Sequence, residues 1–326
     1  MSKYKKFNRV GDGSKTIERA FNEFIKEKET LNKSNSTIRN YLLGYKKFIT
    51  YAENTLDITP ESSLDSINKF CIIDWVENMQ NTVPSANSIN HYLRDMRAFL
   101  YWCMDREYIR KPFTIREISK QESEFKMFTD KEIQALLKKP TKKDSFSTWR
   151  MWAMVNWALA TGNRQSTICS IRLDDIDFDS KQIFLRHTKT KKRQYTVLSS
   201  SLEKVLKDYM NQYDISEEEY LFPTTTIGAS YLTPDAMRLC FRKYCHNRGV
   251  ARTNFHGLRH NFAKQWLLNK GDIASLQAMM GHSDCTMTMR YVALFGSDLV
   301  EAAEQFNPLQ YYVKETGIKA NLKKRA

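Results

Sequence analysis

The chain has 326 residues, enough for two ordinary domains that each bury a core of their own. An apolar content of 41% with six tryptophans excludes a disordered polypeptide, and the lack of any run of 18 apolar residues gives no expectation of a membrane span. A net charge of +14 points to an acidic partner, most simply nucleic acid.

Residues 1–13 are polar and basic, with Gly11 and Gly13, and predict a flexible basic arm. They have no apolar stretch of the secretory kind. From Ser14 a helical pattern sets Ile17, Phe21, Phe24 and Ile25 on one face. A second helix, capped by Ser36 or Thr37, aligns Ile38, Tyr41, Leu42, Tyr45, Phe48, Ile49 and Ala52, with Arg39, Lys46 and Lys47 opposite. A third covers 67–79, and a fourth begins near Ser85 with Ile89, Tyr92, Leu93, Met96, Leu100 and Cys103 in register. Four amphipathic helices predict a helical bundle over 14–109. The polar stretch 110–127 reads as an interdomain linker.

The second domain is expected over 128–300. It opens with a capping box, Thr129 to Glu132, ahead of Ile133, Leu136 and Leu137. A Trp- and Met-rich core helix, 148–159, ends at Thr161-Gly162. Strands at 182–185 and 195–198 alternate enough to pair as a hairpin around the basic loop HTKTKKRQ. Helices follow at 202–213 and 235–247, the latter carrying Arg238, Arg242 and Lys243 with Arg248 just beyond. The expected fold is mainly α in two domains with a small antiparallel β-sheet. Six cysteines (Cys71, Cys103, Cys169, Cys240, Cys245 and Cys285) form no C-x-x-C pair, which fits packed, reduced thiols. Cys240, Cys245 and His246 match no zinc spacing.

The stretch 256–291 is the densest in chemistry: HGLRHNFAKQWLLNKGDIASLQAMMGHSDCTMTMRY. His256 and Arg259 share a helix face. Asp272 caps a second helix, 273–280, and Gly281 ends it. His282 follows at once and Tyr291 nine residues later. A His, an Arg, a second His and a Tyr so arranged are phosphate-binding and proton-transfer groups around one potential nucleophile.

H-x-L-R-H, an apolar helix, M-G-H-S and a Tyr nine residues past that His resemble the C-terminal signature of the tyrosine recombinases, the phage integrase family. The T-G-N-R string resembles that family's T-G-x-R box and implies that Arg164 is a catalytic phosphate ligand. The basic hairpin loop resembles the one that carries the family's catalytic Lys. Alignment puts it at Lys189, with Lys191, Lys192 and Arg193 as competitors. One departure stands out: three residues after the Arg, where the family usually carries an acid, this chain has Thr167. The helical first domain is similar to the family's core-binding, SAM-like domain.

What the resemblance implies is a metal- and ATP-independent strand transferase acting without a cofactor. A tyrosyl oxygen attacks phosphorus and is later expelled by a DNA hydroxyl, because phenolate is a tolerable leaving group. Arg164 and Arg259 match the transition-state oxygens as bidentate forks. His282 donates to the same phosphate, His256 accepts the proton of the nucleophile or positions it, Lys189 protonates the leaving 5′ oxygen, and Tyr291 is the nucleophile. His260 reads as a structural neighbour. The expected partner is double-stranded DNA with an inverted-repeat core site, gripped by a C-shaped clamp; the expected assembly is a homotetramer that exchanges strands through a Holliday junction. An accessory directionality factor is a further partner on this reading. Arg39, Lys46, Lys47, Lys191, Lys192, Arg193, Arg238, Arg242 and Lys243 are candidate DNA contacts, each of which could equally be a solvated surface charge. The length leaves no room for an added N-terminal arm-binding domain, and the tail 301–326 is a candidate for docking on a neighbouring protomer. The expected location is cytoplasmic, at the nucleoid, with no membrane partner. A type IB topoisomerase and a catalytically silent DNA-binding protein of the same fold are the rival readings. Dependence on a specific repeated site separates the first from a recombinase, and the full catalytic set argues against the second.

Overall fold

The computed structural model describes residues 15–119, 125–186, 194–215, 218–225, 231–281, 285–295 and 309. Lys189, Lys191, Lys192, Arg193 and His282 therefore lie outside the described residues, as do the expected arm and, Leu309 apart, the expected tail. The chain divides into two compact units, Met1–Ser123 and Glu124–Ala326.

Among the described residues of the first unit four α-helices form: α1 (Ile17–Thr30), α2 (Asn35–Thr55), α3 (Lys69–Thr82) and α4 (Ala86–Asp105). Each starts on a side-chain cap: Thr16 accepts from the Arg19 amide, Ser34 from Thr37, Asn68 from Phe70 and Cys71, and Ser85 from Ser88. The α2 cap is thus Ser34, two residues ahead of the expected Ser36. The serine-rich run offers several caps, and Ser34 is the one used. Helices α2 and α4 approach closely at Gly44, where a Cβ would lie 2.6 Å from that of Asp95. An aromatic core fills the bundle: Phe21 stacks on Tyr45 at 3.8 Å, and Phe99 meets Phe21 edge-on at 5.2 Å.

The expected linker 110–127 is in large part structured. Ile115 is buried with this core, and Phe113 and Ile118 pack against it. The Ile115 amide donates to the Tyr101 hydroxyl at 3.0 Å, and Asn90 bonds both backbone groups of Ile118 at 2.9 Å.

The second unit contains α5 (Asp130–Leu137), α6 (Phe146–Thr161), α7 (Gln165–Cys169), β1 (Ile176–Asp177), β2 (Gln182–Leu185), β3 (Gln194–Val197), α8 (Ser200–Gln212), α9 (Pro234–Asn247), α10 (His256–Leu268), α11 (Ile273–Met280) and α12 (Cys285–Phe295). Central to it is α6, apolar almost all round and buried from Trp149 to Val155, as expected of a helix with neighbours on every side. Its packing partners include α5, α8, α9 and α10. The sheet is antiparallel in the order β1-β2-β3, with Ile183 opposite Thr196 and Leu185 opposite Gln194. Ile183 and Leu185 turn into the core. The Thr129–Glu132 capping box forms as the sequence predicts.

Candidate active site

Two helix ends build the site. Helix α6 closes on Gly162 (φ +64°) and α11 on Gly281 (φ +61°), both in the left-handed conformation that glycine adopts without strain. A helix C-terminus carries unsatisfied carbonyls and partial negative charge, so it attracts a cation. Arg259, buried on α10, donates from Nη1 to the Gly162 carbonyl at 2.5 Å and from Nη2 to the Met280 carbonyl at 3.0 Å. Arg164, the residue just before α7, donates from Nη1 to the Gly281 carbonyl at 3.1 Å. Consecutive carbonyls at the end of α11 thus draw the two guanidiniums together.

Among the described residues no ion pair joins Arg164 or Arg259 to a carboxylate. Burial and the mutual repulsion of the pair pull Arg259 down to about 10, and burial lowers Arg164 as well. Arg259 stays cationic at neutral pH, and neither guanidinium meets a carboxylate among the described residues. Two neighbouring guanidiniums of this kind have the charge and the donor geometry to take up a phosphate.

Tyr291, on α12, is buried at 1% exposure in a small apolar cluster with Phe262, Ala263, Leu267, Leu276 and Met280. Desolvation raises its pKa against the lowering pull of Arg259, Arg290 and Arg164. Its hydroxyl lies 2.7 Å from Nδ1 of His260, and Phe125 stacks on both rings, 4.4 Å from the imidazole and 4.7 Å from the phenol. His256 stands one turn before His260 on α10, exposed, its ring perpendicular to that of His260 at 4.7 Å. Desolvation followed by the charges of Arg259 and Arg164 lowers the His256 pKa. His260, buried and beside His256, Arg259 and Arg290, is pulled down to about 4.

The fold thus brings Arg164, His256, Arg259 and Tyr291 into one neighbourhood. It also brings in His260, read from the sequence as a structural neighbour, and Phe125, which the sequence did not single out. The second falls in the expected linker, and no periodicity singles it out. What places it is Asn261, buried on α10, which donates to the Phe128 carbonyl at 2.7 Å and accepts from the Phe128 amide at 2.8 Å. The same strip of backbone runs so close to α10 that a Cβ on Gly257 would lie 2.7 Å from the Lys126 carbonyl.

Around the site, Thr167 is buried on α7. Arg186, just past the end of β2, is paired with the wholly buried Asp175 carboxylate and with Asp174 at 2.9 Å. Arg39, Lys46 and Lys47 are exposed on α2, and Arg238, Arg242 and Lys243 on α9, with Arg238 3.0 Å from Asp235. Arg248 is not part of that exposed face. It donates to the carbonyls of Ala135 and Lys138 at 2.9 and 2.6 Å, closing the end of α5. Among the described residues no group of three His, Cys, Asp or Glu could hold a metal ion.

Residues 126–297, more than half of the chain, match the model of the phage integrase family. The chain belongs to that family, the tyrosine recombinases. It is 26% identical over 292 residues to tyrosine recombinase XerA of Thermococcus onnurineus, covering 88% of this chain and 96% of that one. It is 25% identical over 305 residues to tyrosine recombinase XerD of Staphylococcus epidermidis, covering 90% and 99%. Its fold is that of the Tn1549 transposon integrase in complex with transposon right end DNA, at a TM-score of 0.68 and 19% identity over 91% of this chain and all (100%) of that one. It also resembles a lambda integrase tetramer bound to a Holliday junction, at a TM-score of 0.66 and 16% identity, covering 86% of this chain and 78% of that one.

Proposed function

We propose that this recombinase cleaves and rejoins DNA at an inverted-repeat core site, through a 3′-phosphotyrosyl intermediate and a Holliday junction held by a homotetramer. The observation that carries the reading is the pair of uncompensated guanidiniums, Arg164 and Arg259, gathered on the end of α11 close to the buried Tyr291. The tyrosine recombinases and integrases that the chain resembles support it.

On this reading the scissile phosphate sits against Arg164 and Arg259, which stabilise the charge gathering on its non-bridging oxygens. Tyr291 Oη attacks phosphorus, and the bond from phosphorus to the 5′ oxygen breaks. Lys189 protonates that oxygen, and His282 donates a hydrogen bond to the phosphate; His256 is the sequence-based candidate for receiving or guiding the tyrosyl proton. A 5′-hydroxyl from the partner strand then attacks the phosphotyrosyl bond and restores the phenol. The phosphodiester energy is kept in the covalent link, so no external energy source is needed. Arg39, Lys46, Lys47, Lys191, Lys192, Arg193, Arg238, Arg242 and Lys243 are the proposed backbone contacts, which position DNA rather than read its sequence. Integration, excision or inversion of a mobile element is the proposed outcome, with a directionality factor as its accessory partner.

Trapping on a nicked suicide duplex that carries the cognate site tests the reading. A protease-sensitive protein–DNA adduct is expected with the wild type and none with Tyr291→Phe. Ligation of the trapped strand to a second duplex is expected to complete strand exchange. No adduct on a duplex that the protein binds would overturn the reading, and relaxation of plasmids without any such site would replace it with a topoisomerase.

A further inference from the structure

We propose that His260 is the catalytic residue that orients the Tyr291 hydroxyl and takes its proton during cleavage. The proposal rests on the recombinase reading and assigns a role that the sequence motif leaves to His256. Three observations carry it. His260 Nδ1 lies 2.7 Å from the nucleophilic oxygen, within direct transfer distance. Phe125 covers both rings at 4.4 and 4.7 Å and fixes their relative orientation. The strip bearing Phe125 is itself pinned to α10 by the two hydrogen bonds of Asn261 to Phe128. His256, by contrast, is exposed on the preceding turn.

A phenol O–H is a far stronger acid than the N–H of a neutral imidazole. The favoured arrangement therefore has the proton of His260 on Nε2 and Tyr291 donating to the bare Nδ1. As Oη bonds to phosphorus and the 5′ oxygen departs, the proton on Oη passes to Nδ1 and leaves an imidazolium. In the reverse step the imidazolium returns it as the incoming 5′-hydroxyl displaces Oη. Without DNA, burial and the neighbours His256, Arg259 and Arg290 keep His260 a weak base. A phosphodiester seated on Arg259 and Arg164 offsets part of that positive field, so basicity rises when substrate is in place.

The test is single-turnover cleavage of the suicide duplex by the full chain, comparing wild type with His260→Asn and His260→Gln at equal duplex binding. Each variant is made with ordinary tyrosine and with 3,5-difluorotyrosine at position 291. With ordinary tyrosine the variants should cleave about 10²–10⁴-fold more slowly. The more acidic difluorophenol, which needs less help to lose its proton, should narrow that gap at least tenfold. Wild-type rates in the variants would overturn the proposal. So would a deficit that the fluorinated ring does not narrow, since that marks lost packing. For variants that do not fold, nitrogen-15 NMR of the wild type decides: His260 protonated on Nε2 supports the proposal, and on Nδ1 refutes it. Failure of the wild type itself to form an adduct at Tyr291 would instead sink the recombinase reading.

Discussion

His260 and His256 occupy the same face of α10, four residues apart, and only the crossing of α12 decides which of them meets Tyr291. The same crossing gives His260 a measurable effect on stability. Its folded pKa is pulled from an ordinary 6.5 to about 4, so the folded protein resists the proton that the unfolded chain accepts. Above pH 6.5 both states are neutral and the residue contributes no difference. As pH falls from 6.5 towards 4 the unfolded state gains protons first, and stability is lost. From pH 7 to pH 5 the loss from this residue is about 2 kcal/mol. Urea unfolding at the two pH values should give a smaller acid loss for His260→Asn than for wild type by about that amount. Equal losses would mean that the buried imidazole is not held neutral. The motif H-x-L-R-H made Arg259 legible from sequence, because its chemistry is fixed by residue type. The choice between two histidines was not legible, because it depends on a partner helix that spacing does not place.

Helix ends were the most legible elements, and they are also what positions the site. The Thr129 box, the Asp272 cap and the Gly281 stop each follow from local chemistry, and each appears in the structure. The region 110–127 was not legible. Phe113, Ile115 and Ile118 pack without helical or strand spacing, and Asn90, Tyr101 and Asn261 tie down the neighbouring backbone from far away in sequence. The two glycine stops differ in what surrounds them, and that difference can be measured. At both, alanine incurs the left-handed penalty of roughly 1–2 kcal/mol. At Gly162 the added Cβ would also lie 2.4 Å from the Phe262 ring, a rigid neighbour on α10. At Gly281 it meets the end of the Gln194 side chain at 2.7 Å, which can swing aside. Gly162→Ala should therefore destabilise the protein more than Gly281→Ala, by the about 1–3 kcal/mol typical of overpacking. Matched thermal and urea midpoints for the two variants would show that α10 yields freely at this point.

At the scale of the whole chain, the charge of +14 predicts an anionic partner but not where that partner lies. The family match covers 126–297, so the charges of the first unit need an argument of their own. Arg39, Lys46 and Lys47 are exposed on α2, and none of them makes an ion pair among the described residues. Such a face is either hydrated surface or a strip that exchanges counterions for DNA phosphates. Salt distinguishes the two, because each phosphate contact releases condensed cations and steepens the fall of log affinity against log salt by about 0.9. Replacing all three residues with Gln should flatten that slope by about 2 to 3 if they touch the duplex, and weaken binding alike on cognate and unrelated sequences. Fluorescence anisotropy of a labelled duplex across a potassium chloride series measures both quantities. A slope equal to that of the wild type would make this face of α2 solvent-exposed surface. The electrostatic hold on DNA would then have to come from other cations, such as Arg242 and Lys243, exposed on α9.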